Sequence, residues 1–380
     1  MKNIRKVVMV IIGTLIGAGF ASGREIYLFF FRFGKIGILG IFLSSIMTGL
    51  IIYFTLKLAI NKEIDNYDEI LRECNTKHSI VNFFIKGIVT IFLLVSFYVM
   101  IAGFSAYIKQ AYNISNYISS TIFSIVIYII LKRNIQGMMK INTILVPIIL
   151  ILIIFLGFKN LPYILSKPEI TTFENCNNWF IYSILYASYN SIILIPVVIT
   201  LRKYIFTKQK IKYVSIISTA LIIILALCIF GLLLKGNMYT KNLEMPLLAI
   251  ISEYGDLLKG IYGIVIVISI FTSAISVGYS FLENVSNEKT YKMNLIIICV
   301  SGVVVSNIGF SALVQNLYPI FGVIGIIQLL FIFKMSLKNW IYYLKKKEKT
   351  DIKDVINIVG EINENNWNWW WRRKEKRNKS

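Results

Sequence analysis

The sequence predicts an all-helical (all-α) integral membrane protein with about ten transmembrane helices. Of its 380 residues, 57% are hydrophobic and 16% are charged, which is outside the composition of ordinary soluble domains. Apolar stretches long enough to cross a hydrocarbon core of about 30 Å recur along nearly the whole chain. They lack the alternation over about ten residues that a membrane β-barrel shows. Helices are therefore expected to pair the backbone groups in lipid.

The apolar stretches divide the chain into a membrane domain and a tail. The predicted spans cover residues 7–31, 36–59, 81–108, 117–131, 144–158, 179–201, 214–234, 260–282, 294–310 and 313–335. The fourth, fifth and ninth spans are short, so their ends are defined only to within several residues. We predict one membrane domain over residues 1–340 and a tail over residues 341–380.

The basic residues predict the orientation of the spans. The chain has 40 Lys and Arg residues and a formal net charge of +21. With the N-terminus inside, only nine of the 40 fall on the outer side: Arg24, Arg32, Lys35, Lys109, Lys159, Lys167, Lys235, Lys241 and Lys259. This asymmetry is the positive-inside pattern, which predicts a cell-membrane protein with both termini in the cytoplasm. It explains the basic excess as a topology signal, so no nucleic-acid partner is expected.

The C-terminal tail ends in NWNWWWRRKEKRNKS. Four tryptophans precede or adjoin a basic run here: Trp367, Trp369, Trp370 and Trp371. Such a segment suits an anchor on an anionic inner leaflet. A disordered basic tail explains the same composition equally well.

The first span also has the outline of a cleavable signal peptide. It has a basic start, an apolar centre and small residues at Gly19 and Ala21. Its removal would leave an odd number of spans, which conflicts with the charge pattern. We therefore interpret it as the first transmembrane span.

Ten spans divide into two halves of five, at about 7–158 and 179–335. Because five is odd, the second half begins on the opposite side of the membrane, so the halves form an inverted 5+5 repeat. The first span of each half is irregular. Span 1 contains Gly13, Gly17, Gly19 and Gly23, and span 6 places small or polar residues at 187–191 before Pro196.

These irregularities predict that helices 1 and 6 are broken in the membrane. A broken helix exposes amides that bind anions and carbonyls that coordinate cations. The alternative is that the glycines only allow close packing, since Gly13 and Gly17, and Gly19 and Gly23, fit the small-xxx-small pattern.

The motif IGTLIGAGFASGREI, followed by FFFRFG, closely resembles the start of the YkvI-like bacterial membrane proteins. This uncharacterised family is placed in the amino acid–polyamine–organocation (APC) transporter superfamily. The motif covers about residues 12–34, and the resemblance in span order covers about residues 1–340. It implies the inverted fold of the sodium-coupled leucine transporter, with a pocket between spans 1, 3, 6 and 8, and it implies no particular substrate.

In that fold a sodium site joins carbonyls of span 1 to one carbonyl and two hydroxyls of span 8. The resemblance therefore implies a Na⁺ site made by Gly13, Ile16, Ser269, Thr272 and Ser273. On a helix, residues three and four apart share a face, and hard oxygen ligands suit a small cation. Alternatively, these hydroxyls bond only to their own helix. No other cofactor is expected.

For the solute, the amides near Gly17, Ala18 and Gly19 are expected to receive a carboxylate. Tyr98 of span 3, with Tyr189 and Asn190 of span 6, is expected to complete the pocket.

Arg24 and Glu25 carry charge within the first span, which costs several kcal/mol unless the charge is paired or hydrated. We expect Glu25 to act as a proton carrier or gate partner. Arg24 is expected to act as an outer gate or substrate contact, or else to extend to the outer interface.

Together these features predict a secondary active transporter that works by alternating access and is coupled to Na⁺ or H⁺. The expected cargo is a small polar or zwitterionic solute, with amino acids the leading class. The alternative is a transporter-like receptor that binds a small molecule without moving it. An enzyme is not expected, because the sequence has no nucleophile–base constellation, metal cluster or phosphate-binding loop. Nothing in the sequence predicts an oligomeric state.

Overall fold

A computed structural model describes most of the membrane domain. The described residues are 2–64, 69, 79–132, 138–159, 178–205, 207–235, 243–287, 289–330 and 333–334. The features below all lie in one compact unit, Met1–Ile332. The predicted tail at 341–380, with its tryptophans, lies outside the described residues.

The described part of the chain is helical and contains no strand. In chain order, the helices are α1 (Lys2–Leu15), α2 (Ala18–Ala21), α3 (Arg24–Phe29), α4 (Ile36–Asn61), α5 (Ser79–Tyr112), α6 (Asn116–Leu131), α7 (Met138–Lys159), α8 (Trp179–Thr200), α9 (Lys208–Lys235), α10 (Pro246–Ser252), α11 (Asp256–Val285), α12 (Tyr291–Ser306) and α13 (Phe310–Leu330). Short 3₁₀ turns follow α3 at Phe31–Phe33 and α8 at Leu201–Tyr204.

The length and composition of the helices confirm an all-helical, multi-pass membrane protein. Six helices are long and apolar enough to cross a membrane: Ile36–Asn61, Lys86–Tyr112, Trp179–Tyr204, Gln209–Lys235, Asp256–Val285 and Phe310–Leu330. Large apolar side chains also lie on the outer surface, as at Ile151, Ile264 and Val300, which are 69%, 61% and 61% exposed. Such a surface suits contact with lipid tails better than contact with water.

The helices pack in two groups. In the first, α1 and α4 each pack against both α8 and α9, and in the second, α5, α6, α11 and α12 all contact one another. Close approach within the first group depends on small residues. Ser215 Oγ of α9 donates to the carbonyl of Gly49 on α4 at 2.6 Å, and a Cβ on Gly49 would overlap the hydroxyl of Thr219. Small residues are the usual means by which membrane helices approach each other.

The first span is interrupted twice, and the first interruption lies where the glycines predict a break. α1 ends at Leu15, and the N–H of Gly17 donates to Leu15 O at 3.1 Å. A second interruption separates α2 from α3 at Gly23, whose φ of 80° is the left-handed conformation that glycine adopts without strain. The predicted break of span 1 is therefore present.

The prediction of a broken span 6 is wrong. α8 runs without interruption over Trp179–Thr200 and contains Pro196. Its polar side chains donate to carbonyls of the same helix, with Asn190 Nδ2 to Tyr186 O at 2.9 Å and Ser191 Oγ to Ser188 O at 2.6 Å. Proline removes only one backbone donor, and a packed membrane helix tolerates this loss.

Candidate functional site

A cavity of about 210 Å³ lies between the two helix groups. Glu25, Tyr189 and Tyr318 line it at the break of the first span, and Val10, Thr200 and Ser280 line it farther along α1, α8 and α11. The distance from Tyr189 to Thr200 is about 16 Å along an α-helix. The cavity therefore extends from the middle of α8 to its C-terminal end, which is the predicted cytoplasmic end.

The side chain of Glu25 folds back onto the break in the first span. The hydroxyl of Tyr189 donates to Glu25 Oε2 at 2.5 Å, and the backbone N–H of Phe20 also donates to this carboxyl group. A Cβ on Gly19 would overlap Glu25 Oε1 and lie 2.6 Å from its Cγ. Gly19 therefore provides the space in which the Glu25 carboxylate lies, and Glu25 is only 3% exposed.

Aromatic rings fix the position of Tyr189. Its ring stacks on Phe29, with centroids 5.5 Å apart and planes at 20°. It also contacts Tyr186 and Tyr318, with centroid separations of 5.4 Å and 4.8 Å. Contacts on several sides leave the ring little freedom, so the hydroxyl is held toward Glu25.

The structure brings some of the predicted solute-binding residues together and separates others. Gly17, Tyr189 and Asn190 line the cavity. Ala18 and Gly19 are buried and are not among the residues that line it. Tyr98 lies elsewhere, because its hydroxyl hydrogen-bonds to Ser301 Oγ on α12 at 2.7 Å. The expectation that Tyr98 completes this pocket does not match its position.

The five residues predicted for sodium are partly assembled. Gly13 and Ser273 line the cavity, from α1 and α11. The N–H of Gly17 donates to Leu15 O instead of Gly13 O, so the Gly13 carbonyl loses its usual helical donor.

On α11 the predicted hydroxyls are partly engaged by the helix itself. Thr272 Oγ1 donates to the carbonyls of Ile268 and Ser269, at 3.0 and 3.1 Å. Ser269 Oγ is buried with no hydrogen-bond partner among the described residues. Ile16 is also buried, at 3% exposure. The oxygen atoms of these residues are of the kind that bind a small cation.

Arg24 points away from the cavity and does not reach the surface. It is 7% exposed, Nη1 donates to Leu243 O at 3.4 Å, and its guanidinium lies 5.2 Å from the centroid of the Tyr27 ring. The alternative in which Arg24 extends to the outer interface is therefore inconsistent with its burial.

The segment Leu243–Ser252, here called the cap, covers the end of the break that faces away from the cavity. The N–H of Leu247 donates to Ser22 O at 3.0 Å. The side chain of Gln110 forms two bonds of 3.0 Å with the backbone of Met245. Most apolar residues of the cap are almost fully buried: Met245, Leu247, Leu248, Ile250 and Ile251. Among the described residues, none from the cap lines the cavity. The cap therefore closes the side opposite the cavity.

Two residues of this region were not predicted from the sequence. Tyr318 lines the cavity from α13, and Glu244 Oε2 in the cap accepts a hydrogen bond from the backbone N–H of Ser311 at 2.6 Å. The only signals were a tyrosine before Pro319 in an apolar span and an isolated acid in a loop rich in apolar residues. Neither signal identifies a partner without the fold.

Comparison with curated proteins confirms the resemblance that the glycine motif indicates. No family model matches the chain. It is 25% identical over 331 residues to the uncharacterised membrane protein YkvI of Bacillus subtilis, covering 83% of this chain and 91% of the relative. The chain resembles YkvI over most of its length. The uncharacterised protein YyaD of the same organism is also 25% identical, over 328 residues, covering 84% and 93% of the two chains.

Solved structures with a similar fold are membrane transporters. Mutants of the Eremococcus coleocola manganese transporter match with a TM-score of 0.58 at 12% identity, covering 87% of this chain and 78% of theirs. Mhp1, a nucleobase-cation-symport-1 family transporter solved with bromovinylhydantoin, matches with a TM-score of 0.55 at 11% identity, covering 79% and 70%. At these identities the likeness concerns the fold alone. This protein therefore has a transporter-like membrane fold.

Proposed function

We propose that this protein is a secondary active transporter of a small polar solute and works by alternating access. The observation that carries the proposal is the asymmetry of the site. The cavity reaches the buried carboxylate of Glu25 from one side, and the cap covers the break from the other. A site open to one side and closed to the other is the arrangement of one end state of such a carrier.

The packing of the helices supports an inverted repeat of ten spans. We number α1–α3 as span 1, α4 to α9 as spans 2 to 7, and α11 to α13 as spans 8 to 10. Spans 2, 3 and 4 each pack against their own counterpart five positions later, at spans 7, 8 and 9. Span 1 packs against span 7, and its counterpart, span 6, packs against span 2. In the same way, span 3 packs against span 9, and its counterpart, span 8, packs against span 4. Two inverted halves would produce this reciprocity.

The solute site of this proposal lies at the closed end of the cavity, beside the break of the first span. Gly17, Glu25, Tyr189, Asn190 and Tyr318 supply its polar groups and aromatic rings. The volume of about 210 Å³ is below the range of about 300–1,000 Å³ common for drug-sized ligands. A small solute, such as an amino acid or a related amine, fits this volume.

Two coupling mechanisms fit the site. In the first, Na⁺ binds oxygens of Gly13, Ile16, Ser269, Thr272 and Ser273, because Gly13 and Ser273 face the same cavity. In the second, Glu25 carries a proton, because it is the only Asp, Glu, Lys, Arg or His among the described residues that line the cavity. The first predicts dependence on sodium, and the second predicts dependence on a proton gradient.

The cap and Arg24 form the outer gate in this proposal. Arg24 bonds to the first residue of the cap, and Ser22 bonds to its centre at Leu247. Opening to the outside would therefore break these contacts together. In this proposal the cavity mouth faces the cytoplasm of a cell-membrane protein, and the basic residues predict both termini on that side. The basic tail would then lie near the anionic inner leaflet.

A reversible lock on the cap tests the proposal. Ser22→Cys and Leu247→Cys are introduced together, since these two backbones already hydrogen-bond. The native cysteines are first replaced; they are Cys74, Cys176, Cys228 and Cys299. Counterflow of radiolabelled amines and amino acids is then measured in proteoliposomes. We expect oxidation to stop counterflow in the double variant and reduction to restore it.

Each single-cysteine variant is the control for the lock, and its counterflow should not respond to oxidation. Unchanged counterflow in the oxidised, cross-linked double variant contradicts a gating role for the cap. Ligand binding without counterflow in the unlocked protein would instead support the receptor alternative.

A further inference from the structure

The position expected for a solute carboxylate is occupied by the protein itself. The Glu25 carboxyl group accepts hydrogen bonds from the N–H of Phe20 and the hydroxyl of Tyr189. It also occupies the space beside Gly19 that a side chain at that position would fill. A solute carboxylate would have to displace a carboxyl group that is already bonded and buried.

The rest of the cavity offers no compensating positive charge. The described residues that line it include no Lys, Arg or His, and the polar groups other than Glu25 are neutral, including Ser96, Ser273 and Ser276. Neutral hydroxyls bind anions only weakly beside a carboxylate, since like charges repel strongly where water is excluded. The charge of the site therefore disfavours an anionic group and favours a cationic one.

The walls of the cavity suit an organic cation with a short apolar body. The rings of Tyr189 and Tyr318 lie 4.8 Å apart between centroids, next to Glu25. Phe92, Leu93 and Met100 provide an apolar wall in the same cavity. An ammonium group at Glu25 can therefore be followed by a few carbon atoms along this wall.

We propose that the solute is a small primary amine without a carboxylate, whose ammonium group pairs with Glu25. This inference rests on the solute cavity of the proposed function, and it narrows the solute from amino acids to their amine counterparts. The internal carboxylate of Glu25 occupies the place that the carboxylate of an amino acid would otherwise take.

The test compares amines with amino acids that differ by one carboxylate. Purified full-length protein is titrated by thermal shift with phenethylamine and phenylalanine, isoamylamine and leucine, and putrescine and ornithine. A ligand that binds only the folded state raises the melting temperature as its concentration exceeds Kd. We expect at least one amine to bind at least about tenfold more tightly than its amino acid, a difference of about 1.4 kcal/mol.

Variants of Glu25 identify the group that makes this distinction. Glu25→Gln keeps the shape of the side chain and removes its charge, and we expect amine affinity to fall about 30-fold or more. Glu25→Asp keeps the carboxylate, so it should retain the preference for amines even if the affinity falls. This second variant keeps the inference testable if Glu25→Gln does not fold. Glu283→Gln on the exposed end of α11 is the matched control and should leave the titrations unchanged.

The outcomes separate this inference from the proposed transport activity. Amino acids that bind as tightly as their amines overturn the inference, as does a panel in which no amine binds. Gradient-driven uptake of an amino acid would leave the transport proposal intact and remove the inference. Amine binding at Glu25 without counterflow would support the inference and remove the transport proposal.

Discussion

The first and sixth spans have similar sequence signals and different structures. Both place weak helix formers and polar residues in the middle of an apolar segment. The first span is interrupted between Leu15 and Ala18 and again at Gly23, whereas α8 continues past Pro196 to Thr200. The difference lies in what satisfies the backbone. In the first span Glu25 accepts a bond from the N–H of Phe20, and in α8 the polar side chains bond within the helix.

A helix break in the membrane needs partners for the backbone groups that it exposes. An unsatisfied backbone group in hydrocarbon costs several kcal/mol, so small or polar residues alone do not keep a helix open. The absence of a side chain at Gly19 allows the Glu25 carboxylate to approach the break. The carboxylate then accepts a hydrogen bond from the exposed N–H of Phe20. Among the described residues, no external group bonds to the backbone in the middle of the sixth span, and the span remains helical.

The largest effect is expected for Gly19→Leu. Its Cβ would overlap Glu25 Oε1 and lie 2.6 Å from Cγ, which would push the carboxylate off the break. We expect solute binding to be abolished while membrane insertion is retained, measured by thermal shift and by extraction from membranes. Gly260→Leu is the control, because a Cβ there meets nothing within 4 Å. Normal binding by Gly19→Leu would remove the break from the site.

A smaller loss is expected for Tyr189→Phe. It removes the hydroxyl that donates to Glu25 and keeps the ring in its stack. Hydrogen bonds to charged groups contribute about 1.5–3 kcal/mol, so we expect solute affinity to fall about tenfold or more. Tyr98→Phe is the matched control, since its hydroxyl bonds to Ser301 outside the cavity. If Tyr98→Phe weakens binding as much as Tyr189→Phe, the solute does not bind at the break.

The double variant Thr272→Ala with Ser273→Ala tests the coupling ion. We expect it to erase any sodium dependence of solute binding, because it removes both hydroxyls of α11 from the proposed ion site. Thr121→Ala is the control, since Thr121 also bonds to the carbonyl four residues earlier but lies on an exposed face of α6. Titrations with and without sodium that agree in the wild type and in the double variant would favour protons and Glu25.

The smallest effect is expected for Pro196→Ala. Alanine restores one backbone donor to a helix that is already continuous, so thermal stability should rise slightly and solute affinity should not change. Counterflow and solute binding are both measured for this variant. A fall in counterflow with unchanged binding would indicate that α8 opens at Pro196 later in the cycle. A fall in both would contradict the expectation that Pro196 has no role in solute binding.

Hydropathy was sufficient to predict the helical membrane fold, because each span must satisfy its own backbone in lipid. The glycines were sufficient to predict the break between Leu15 and Ala18, but not the second interruption at Gly23, where φ is positive. The fold-back of Glu25 was not predictable, because it depends on Tyr189, which is distant in sequence. The position of Tyr98 likewise depends on which face of α5 meets α12. Sequence therefore identified the candidate residues better than their partners.

The isolated negative charge of Glu25 in the cavity has a consequence for energetics across the membrane. A singly charged amine that leaves Glu25 behind when it crosses carries one positive charge per cycle. An inside-negative voltage of 100 mV contributes about 2.3 kcal/mol per charge, which corresponds to about a 50-fold accumulation. When Glu25 returns protonated, as in the proton-coupled mechanism, the amine exchanges for a proton and the cycle is electroneutral. When Glu25 returns without a proton, the cycle is electrogenic and the voltage drives uptake. A valinomycin-imposed potassium diffusion potential in proteoliposomes would then change the direction of amine flux with the sign of the voltage.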